Sequence, residues 1–128
     1  MAYSQTRLFI VEDNFLYSYM LEATLKEYGN FKITSFATAE RCIEMLGNKP
    51  DLIILDYHLN GGMNGLEAFK IIHQKTPRVP VIILSSQTDV QVAADILHKG
   101  AYDYIEKKDN IKALEKLKAA ILKVTMRN

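Results

Sequence analysis

The run Leu52-Ile53-Ile54-Leu55-Asp56 decides how this chain is read. Four consecutive aliphatic side chains cannot alternate between core and solvent. Both faces of the segment must therefore be covered, as in a central strand of a parallel sheet. The run then stops on a carboxylate. In open α/β sheets the carboxyl ends of the strands open onto the ligand crevice, so Asp56 stands where chemistry is expected. Leu8-Phe9-Ile10-Val11 repeats the pattern and stops on two acids, Glu12 and Asp13. Val81-Ile82-Ile83-Leu84 is a third such run and is followed by Ser85-Ser86-Gln87.

Outward from these strands, segments of helical period alternate with them. Phe15, Leu16, Tyr19, Met20 and Ala23 recur at helical spacing before a stop at Tyr28-Gly29-Asn30. Phe31 and Ile33 alternate with Lys32 and Thr34, the mark of a half-exposed strand. Ala39, Ile43 and Leu46 form the next stripe, closed by Gly47-Asn48, and Pro50-Asp51 leads into the strand ending at Asp56. Tyr57 to Asn64, with Gly61 and Gly62, reads as loop. Leu66, Phe69 and Ile72 predict a third helix, ended by Thr76-Pro77, and Val90, Ala93, Ala94 and Leu97 a fourth, capped by Gly100. Tyr102 to Glu106 is a short strand with polar interruptions that runs into Lys107-Lys108. Asp109-Asn110 starts a last helix carrying Ile111, Leu114, Leu117 and Ile121.

Strand and helix alternate five times, which predicts a doubly wound α/β fold with a five-stranded parallel sheet. The all-apolar runs one, three and four belong in the middle and the mixed runs two and five at the edges, so the order is 2-1-3-4-5. That order puts the crevice between strands one and three, where Glu12, Asp13 and Asp56 converge.

Composition narrows the function. The 128 residues suit one domain, and 48% hydrophobic with 24% charged residues is ordinary for a globular protein. A net charge of +1, with no lysine-arginine stripe, argues against a nucleic-acid footprint. The apolar runs are far too short to span a membrane, and residues 1–7 lack the apolar core of a signal peptide. The single cysteine, Cys42, cannot form an internal disulfide and suits a reducing, cytoplasmic location; on an amphipathic helix it reads as packing.

Carboxylates about 4 Å apart repel by roughly 4 kcal/mol per pair at an effective dielectric near 20. A cation or a proton must relieve that repulsion. Few, hard oxygen ligands with room for water suit Mg²⁺, which is typically held by one or two carboxylates together with phosphate oxygens. Ser85 and Lys107, at the ends of two further strands, supply a hydroxyl and an ammonium for such a phosphate. An aspartate carboxylate is a covalent phosphoryl acceptor in other proteins, and transfer to it depends on positioning and charge neutralisation.

Val11-Glu12-Asp13-Asn14, Leu55-Asp56, Leu84-Ser85-Ser86 and Gly100-Ala101-Tyr102-Asp103-Tyr104-Ile105-Glu106-Lys107, in this order at strand ends, resemble the receiver domain of bacterial two-component response regulators. The resemblance covers about residues 7 to 123 and implies a flavodoxin-like (βα)5 fold, with residues 1–128 a single receiver domain and no effector domain in the chain. It implies that Asp56 is the phosphoacceptor. Glu12, Asp13, Asp56 and the backbone carbonyl of His58 would hold Mg²⁺, with Mn²⁺ as a substitute. Ser85 and Lys107 would contact the phosphoryl group, Ser85 and Tyr104 would switch conformation, and His58 and Gln87 would tune dephosphorylation.

The implied partners are a sensor histidine kinase or a phosphotransfer protein. Signalling would pass through helix 4, strand 5 and helix 5, with homodimerisation on phosphorylation and no external substrate to turn over. Two departures stand out. Lys108 replaces the proline that usually follows the lysine in a cis bond, which predicts a trans bond and a rearranged loop. Asn60-Gly61-Gly62-Met63-Asn64-Gly65 replaces a proline-containing turn and is one residue longer.

Three other functions compete. A flavodoxin-like cofactor binder needs a phosphate loop where this chain has Glu12-Asp13. A phosphatase or phosphotransferase with an aspartyl nucleophile commonly needs a second acid two residues on, where this chain has His58. A pseudo-receiver, an interaction module that takes no phosphate, would not need a complete acidic site.

Overall fold

A computed structural model of the chain describes residues 5–86 and 89–126. Five strands, β1 (Thr6–Val11), β2 (Phe31–Phe36), β3 (Leu52–Asp56), β4 (Val81–Ser85) and β5 (Asp103–Glu106), pair in parallel in the order 2-1-3-4-5. Between and after them come α1 (Phe15–Tyr28), α2 (Ala39–Glu44), α3 (Gly65–Lys75), α4 (Val90–His98) and α5 (Asn110–Thr125). Fold and strand order match the sequence reading. The bounds differ a little: β1 starts two residues earlier, β5 starts one later, and α2 is short and gives way to a 3₁₀ turn at Leu46–Asn48.

The alternation of side chains along the strands builds two cores. Phe9, Val11, Ile53, Leu55 and Ile83 face α2, α3 and α4 through Cys42, Phe69, Ile72 and Ile96. Leu8, Ile10, Leu52, Ile54, Ile82 and Leu84 face α1 and α5 through Leu21, Leu25, Leu117 and Ile121. Every residue of β3 and β4 is buried, as their unbroken apolar runs require. Cys42 is fully buried, and burial pushes its thiol up to about 12, so it is a packing residue.

Two predicted helix faces are corrected. On α1, Phe15, Leu16 and Tyr19 are 77%, 76% and 66% exposed, and Ser18, Leu21 and Leu25 face the sheet instead. On α4, Val90 and Leu97 are exposed and Ile96 is the buried anchor. Both helices carry apolar residues on more than one side, so spacing alone admits more than one stripe, and docking on the sheet selects among them. Ile111 likewise lies exposed at the start of α5, whereas Leu117 and Ile121 are buried as expected.

The loop from β3 to α3 passes close under the helix it feeds. A Cβ on Gly65 would lie 2.4 Å from the Tyr57 carbonyl oxygen and 2.5 Å from the Tyr57 Cα, both backbone atoms with little freedom to yield. The Gly65 amide donates to that same carbonyl at 3.2 Å. Gly65→Ala must therefore force the Tyr57 backbone and the start of α3 apart. We expect a loss of about 1–3 kcal/mol of stability in urea unfolding; an unchanged midpoint would show that the close approach is not needed.

Candidate functional site

The strand register assembles the site. Ile10 pairs with Ile54 and Val11 with Leu55, which brings Glu12 beside Asp56 one step further on. By alternation Glu12 and Asp56 fall on the α1/α5 side, with Leu8, Ile10, Leu52 and Ile54. On β5, Ile105 belongs to that same side, so Lys107 two residues on returns to it. The Lys107 amide donates to the Ser85 carbonyl at 2.7 Å, fixing the strand end. Its side chain then crosses to the acids, with Nζ 2.5 Å from Glu12 Oε1 and 3.3 Å from Asp56 Oδ2. As predicted, the bond to Lys108 is trans, since no cis peptide occurs among the described residues. Lys107 reaches the cluster all the same.

Glu12, Asp13 and Asp56 each offer an oxygen within 4.8 Å of the others. Glu12 and Asp56 are buried and Asp13 is half-buried at the rim. Asp13 Oδ2 accepts from the Asn60 amide at 3.0 Å, tying the β3–α3 loop to the acid pair. Burial pushes the Asp13 carboxyl up, but hydrogen bonding with the Asn60 backbone, with Glu12 and with the Asn60 side chain outweighs it and holds the group below the usual range. The loop is also pinned from outside, where Glu40 Oε2 accepts from the Met63 amide at 2.9 Å. Gly61 and Gly62 take the positive φ values, 68° and 94°, that let the loop turn there.

Glu12 organises its surroundings through both oxygens. Oε1 takes Lys107, and Oε2 accepts from the Asn14 amide at 3.0 Å. Asn14 in turn caps α1, its Oδ1 accepting from the Tyr17 amide at 3.0 Å. The helix cap is therefore Asn14, and Glu12 and Asp13 are left for the crevice. Burial pushes Glu12 up to about 7, against the pull of Lys107 and Asn14, and the neighbouring Asp56 charge adds to the rise.

The other side of Asp56 is different. Ser85, fully buried, follows the alternation onto the α2/α3/α4 side, where its Oγ lies 3.2 Å from His58 Nε2. The His58 amide donates to Asp56 Oδ1 at 3.1 Å, so one residue touches the acid with its backbone and the hydroxyl with its ring. Tyr104 is half-buried on this side, its ring 6.5 Å from that of Tyr57 at 61°. The fold thus brings Glu12, Asp13, Asp56, Lys107, Ser85 and His58 to one crevice, with Tyr104 a layer behind. Gln87 lies outside the described residues.

Three contributors went unnoticed in the sequence. Tyr17 lies with its ring centroid 4.5 Å from Lys107 Nζ, Asn14 is the cap just described, and Asn60 holds Asp13. The spacing of Asn14 and Tyr17, three apart after the acid pair, is a helix-start signal that could have placed Tyr17 over the crevice. No local signal marks Asn60.

The Glu12 carboxyl carbon, followed by ¹³C NMR in metal-free protein, should titrate near pH 7 and fall in Asp56→Asn, which removes the raising charge. Because the folded value lies above the ordinary 4.5, this group contributes stability that is fully present below pH 4.5 and is lost as pH rises through about 7. A midpoint at the ordinary value in the wild type would refute the account of its burial.

Comparison with known proteins agrees with this geometry. The family model of the response regulator receiver domain matches residues 8–120. A putative NtrX-like response regulator of Rickettsia felis is 36% identical over 109 residues, covering 84% of this chain and 23% of that protein. The nitrogen assimilation regulatory protein NtrX of Azorhizobium caulinodans is 33% identical over 104 residues, or 80% and 23% of the two chains. The chain thus spans about a quarter of the length of these relatives. Among solved structures, the signal receiver domain of a putative LuxO repressor protein from Vibrio parahaemolyticus superposes with a TM-score of 0.77 at 27% identity, covering 98% and 99% of the two chains. An acidic crevice at the carboxyl end of a 2-1-3-4-5 sheet and a family match over most of the chain lead to one conclusion: this chain belongs to the response regulator receiver domains of two-component systems.

Proposed function

We propose that the chain is a Mg²⁺-dependent signalling switch that takes a phosphoryl group on Asp56. The observation that carries this reading is the charge at the crevice. Three carboxylates stand around one ammonium, and a divalent cation that displaces the proton from the raised Glu12 would balance the −2 that then remains. The donor set fits Mg²⁺: all are hard carboxylate oxygens, and one from each residue lies within 4.8 Å of the others, close enough for one small cation to gather them. Glu12, Asp13 and Asp56 would hold the ion, with the His58 carbonyl as a further ligand. Bound there, it would neutralise charge on the incoming phosphoryl group.

The residues of the chain divide the remaining work. An Asp56 oxygen attacks the phosphorus of a phosphohistidine on a sensor kinase or phosphotransfer protein, and the bond to the imidazole nitrogen breaks. Lys107, already on Asp56 Oδ2, neutralises the new oxygens. Ser85 gives up its contact with His58 to reach the phosphate, and Tyr104, on the same side, turns into the space vacated. The His58 ring then stands beside the acyl phosphate and sets how readily water attacks it, with Gln87 as a second tuner.

Phe15, Leu16 and Tyr19 support docking of a protein donor, since they leave an apolar patch on the helix that begins at the crevice. The exposed Val90 and Leu97 on α4 support the α4–β5–α5 surface as the output and as a dimer face formed on phosphorylation. No nucleic-acid or membrane partner is proposed for this chain. Among the described residues, no helix is long and apolar enough to cross a membrane.

Incubation with acetyl phosphate and Mg²⁺, followed by intact mass measurement, tests the reading. The wild type should gain one phosphoryl mass, and Asp56→Ala or omission of Mg²⁺ should abolish the gain. An equal gain in Asp56→Ala would overturn it. After removal of the donor, His58→Ala should change the decay rate severalfold; an unaltered rate would remove His58 from the tuning role.

A further inference from the structure

The geometry points to Tyr17 as the positioning residue that holds the Lys107 ammonium against Asp56 through the face of its aromatic ring. The inference rests on the reading of Asp56 as phosphoacceptor and adds a residue to that site. Lys107 directly follows β5 and is itself followed by the exposed Lys108 and Asp109, so its long side chain must be confined by what it meets across the crevice. It meets two carboxylates on one side. Hydrogen bonding to Glu12 and Asp56 fixes the direction of the nitrogen but leaves an ammonium, with three donors, open to water elsewhere.

The Tyr17 ring covers it there. Nζ lies 4.5 Å from the ring centroid, inside the ~6 Å range in which a cation is drawn to the quadrupole of an aromatic face. The Lys107 side chain is only 15% exposed and the ring is half-buried, and partial desolvation is what strengthens such a contact. The ring is itself held in place. Glu12 Oε2 takes the Asn14 amide, Asn14 Oδ1 takes the Tyr17 amide, and Tyr17 is thereby set in the first turn of α1. One carboxylate thus binds the lysine with one oxygen and orders the turn that carries its cover with the other. Burial and the charges of Glu12 and Asp56 push the Tyr17 phenol up to about 12, so it stays neutral and adds no third negative charge.

What the site needs from Tyr17 is a π face, not a hydroxyl. Two measurements on the intact chain test this. In ¹H–¹³C spectra of lysine-labelled protein, the Lys107 ε-methylene, assigned by its loss in Lys107→Met, should be shifted upfield by the ring. Tyr17→Leu should return it to the position of exposed lysines, and Tyr17→Phe should keep it upfield. In acetyl phosphate charging, Tyr17→Leu should slow the reaction on the order of tenfold. Tyr17→Phe should restore most of the rate, and Tyr17→Leu should add nothing in a Lys107→Met background.

An unshifted Lys107 resonance in the wild type would overturn the proposal, as would an equal slowing by Tyr17→Leu with and without Lys107. A wild type that takes no phosphate but shows the shifted resonance would overturn the phosphoacceptor reading and leave the Lys107–Tyr17 contact standing.

Discussion

Two buried carboxylates, Glu12 and Asp56, share one ammonium at the open end of the sheet, and the rest of the site depends on that arrangement. Neither acid is cheap to bury. The ends of β1 and β3 carry them inward because the apolar residues before them fill both faces of the sheet, so the strands cannot shift to expose them. Lys107 offsets part of the cost and leaves the rest unrelieved. The unrelieved part is visible in the raised Glu12. A crevice of this kind is prepared for positive charge.

The alternation of side chains divides labour around Asp56. On the α1/α5 side stand Glu12, Lys107 and Tyr17, a charged and aromatic wall joined to the start of α1 through Asn14. On the opposite side stand Ser85 and His58, with Tyr104 behind them against the α2/α3/α4 core. A phosphoryl group on Asp56 would meet both walls at once. The first is pre-formed and suited to binding charge. The second holds a hydroxyl on a competing partner, the feature a two-state element needs if a ligand is to shift it.

Much of the fold was legible because parallel strands buried on both faces leave unbroken apolar runs. Leu52–Leu55 and Val81–Leu84 had no other reading, and strand order followed from which runs were mixed. The acids were legible for the same reason, as carboxylates that end such runs. Helix faces were less so. Phe15, Leu16 and Tyr19 keep helical spacing and yet face solvent, since α1 carries apolar residues on several sides and only the sheet decides which are covered. Long-range side-chain pairs were the hardest to read. Nothing local announces that Tyr17 meets a lysine ninety residues on, that His58 meets Ser85, or that Asn60 holds Asp13. Lys107 reaches the acids across a trans bond because the Ser85 carbonyl fixes its amide and the acids draw its head group.

On the proposed function, the carboxylate ending β3 becomes an acyl phosphate. Sodium borohydride reduces an acyl phosphate to an alcohol and leaves a free carboxylate untouched. Protein treated with acetyl phosphate and Mg²⁺, reduced and digested, should yield the Leu52–Asp56 peptide with homoserine at position 56. Homoserine at Asp13, or 5-hydroxynorvaline at Glu106, with Asp56 intact would overturn this assignment.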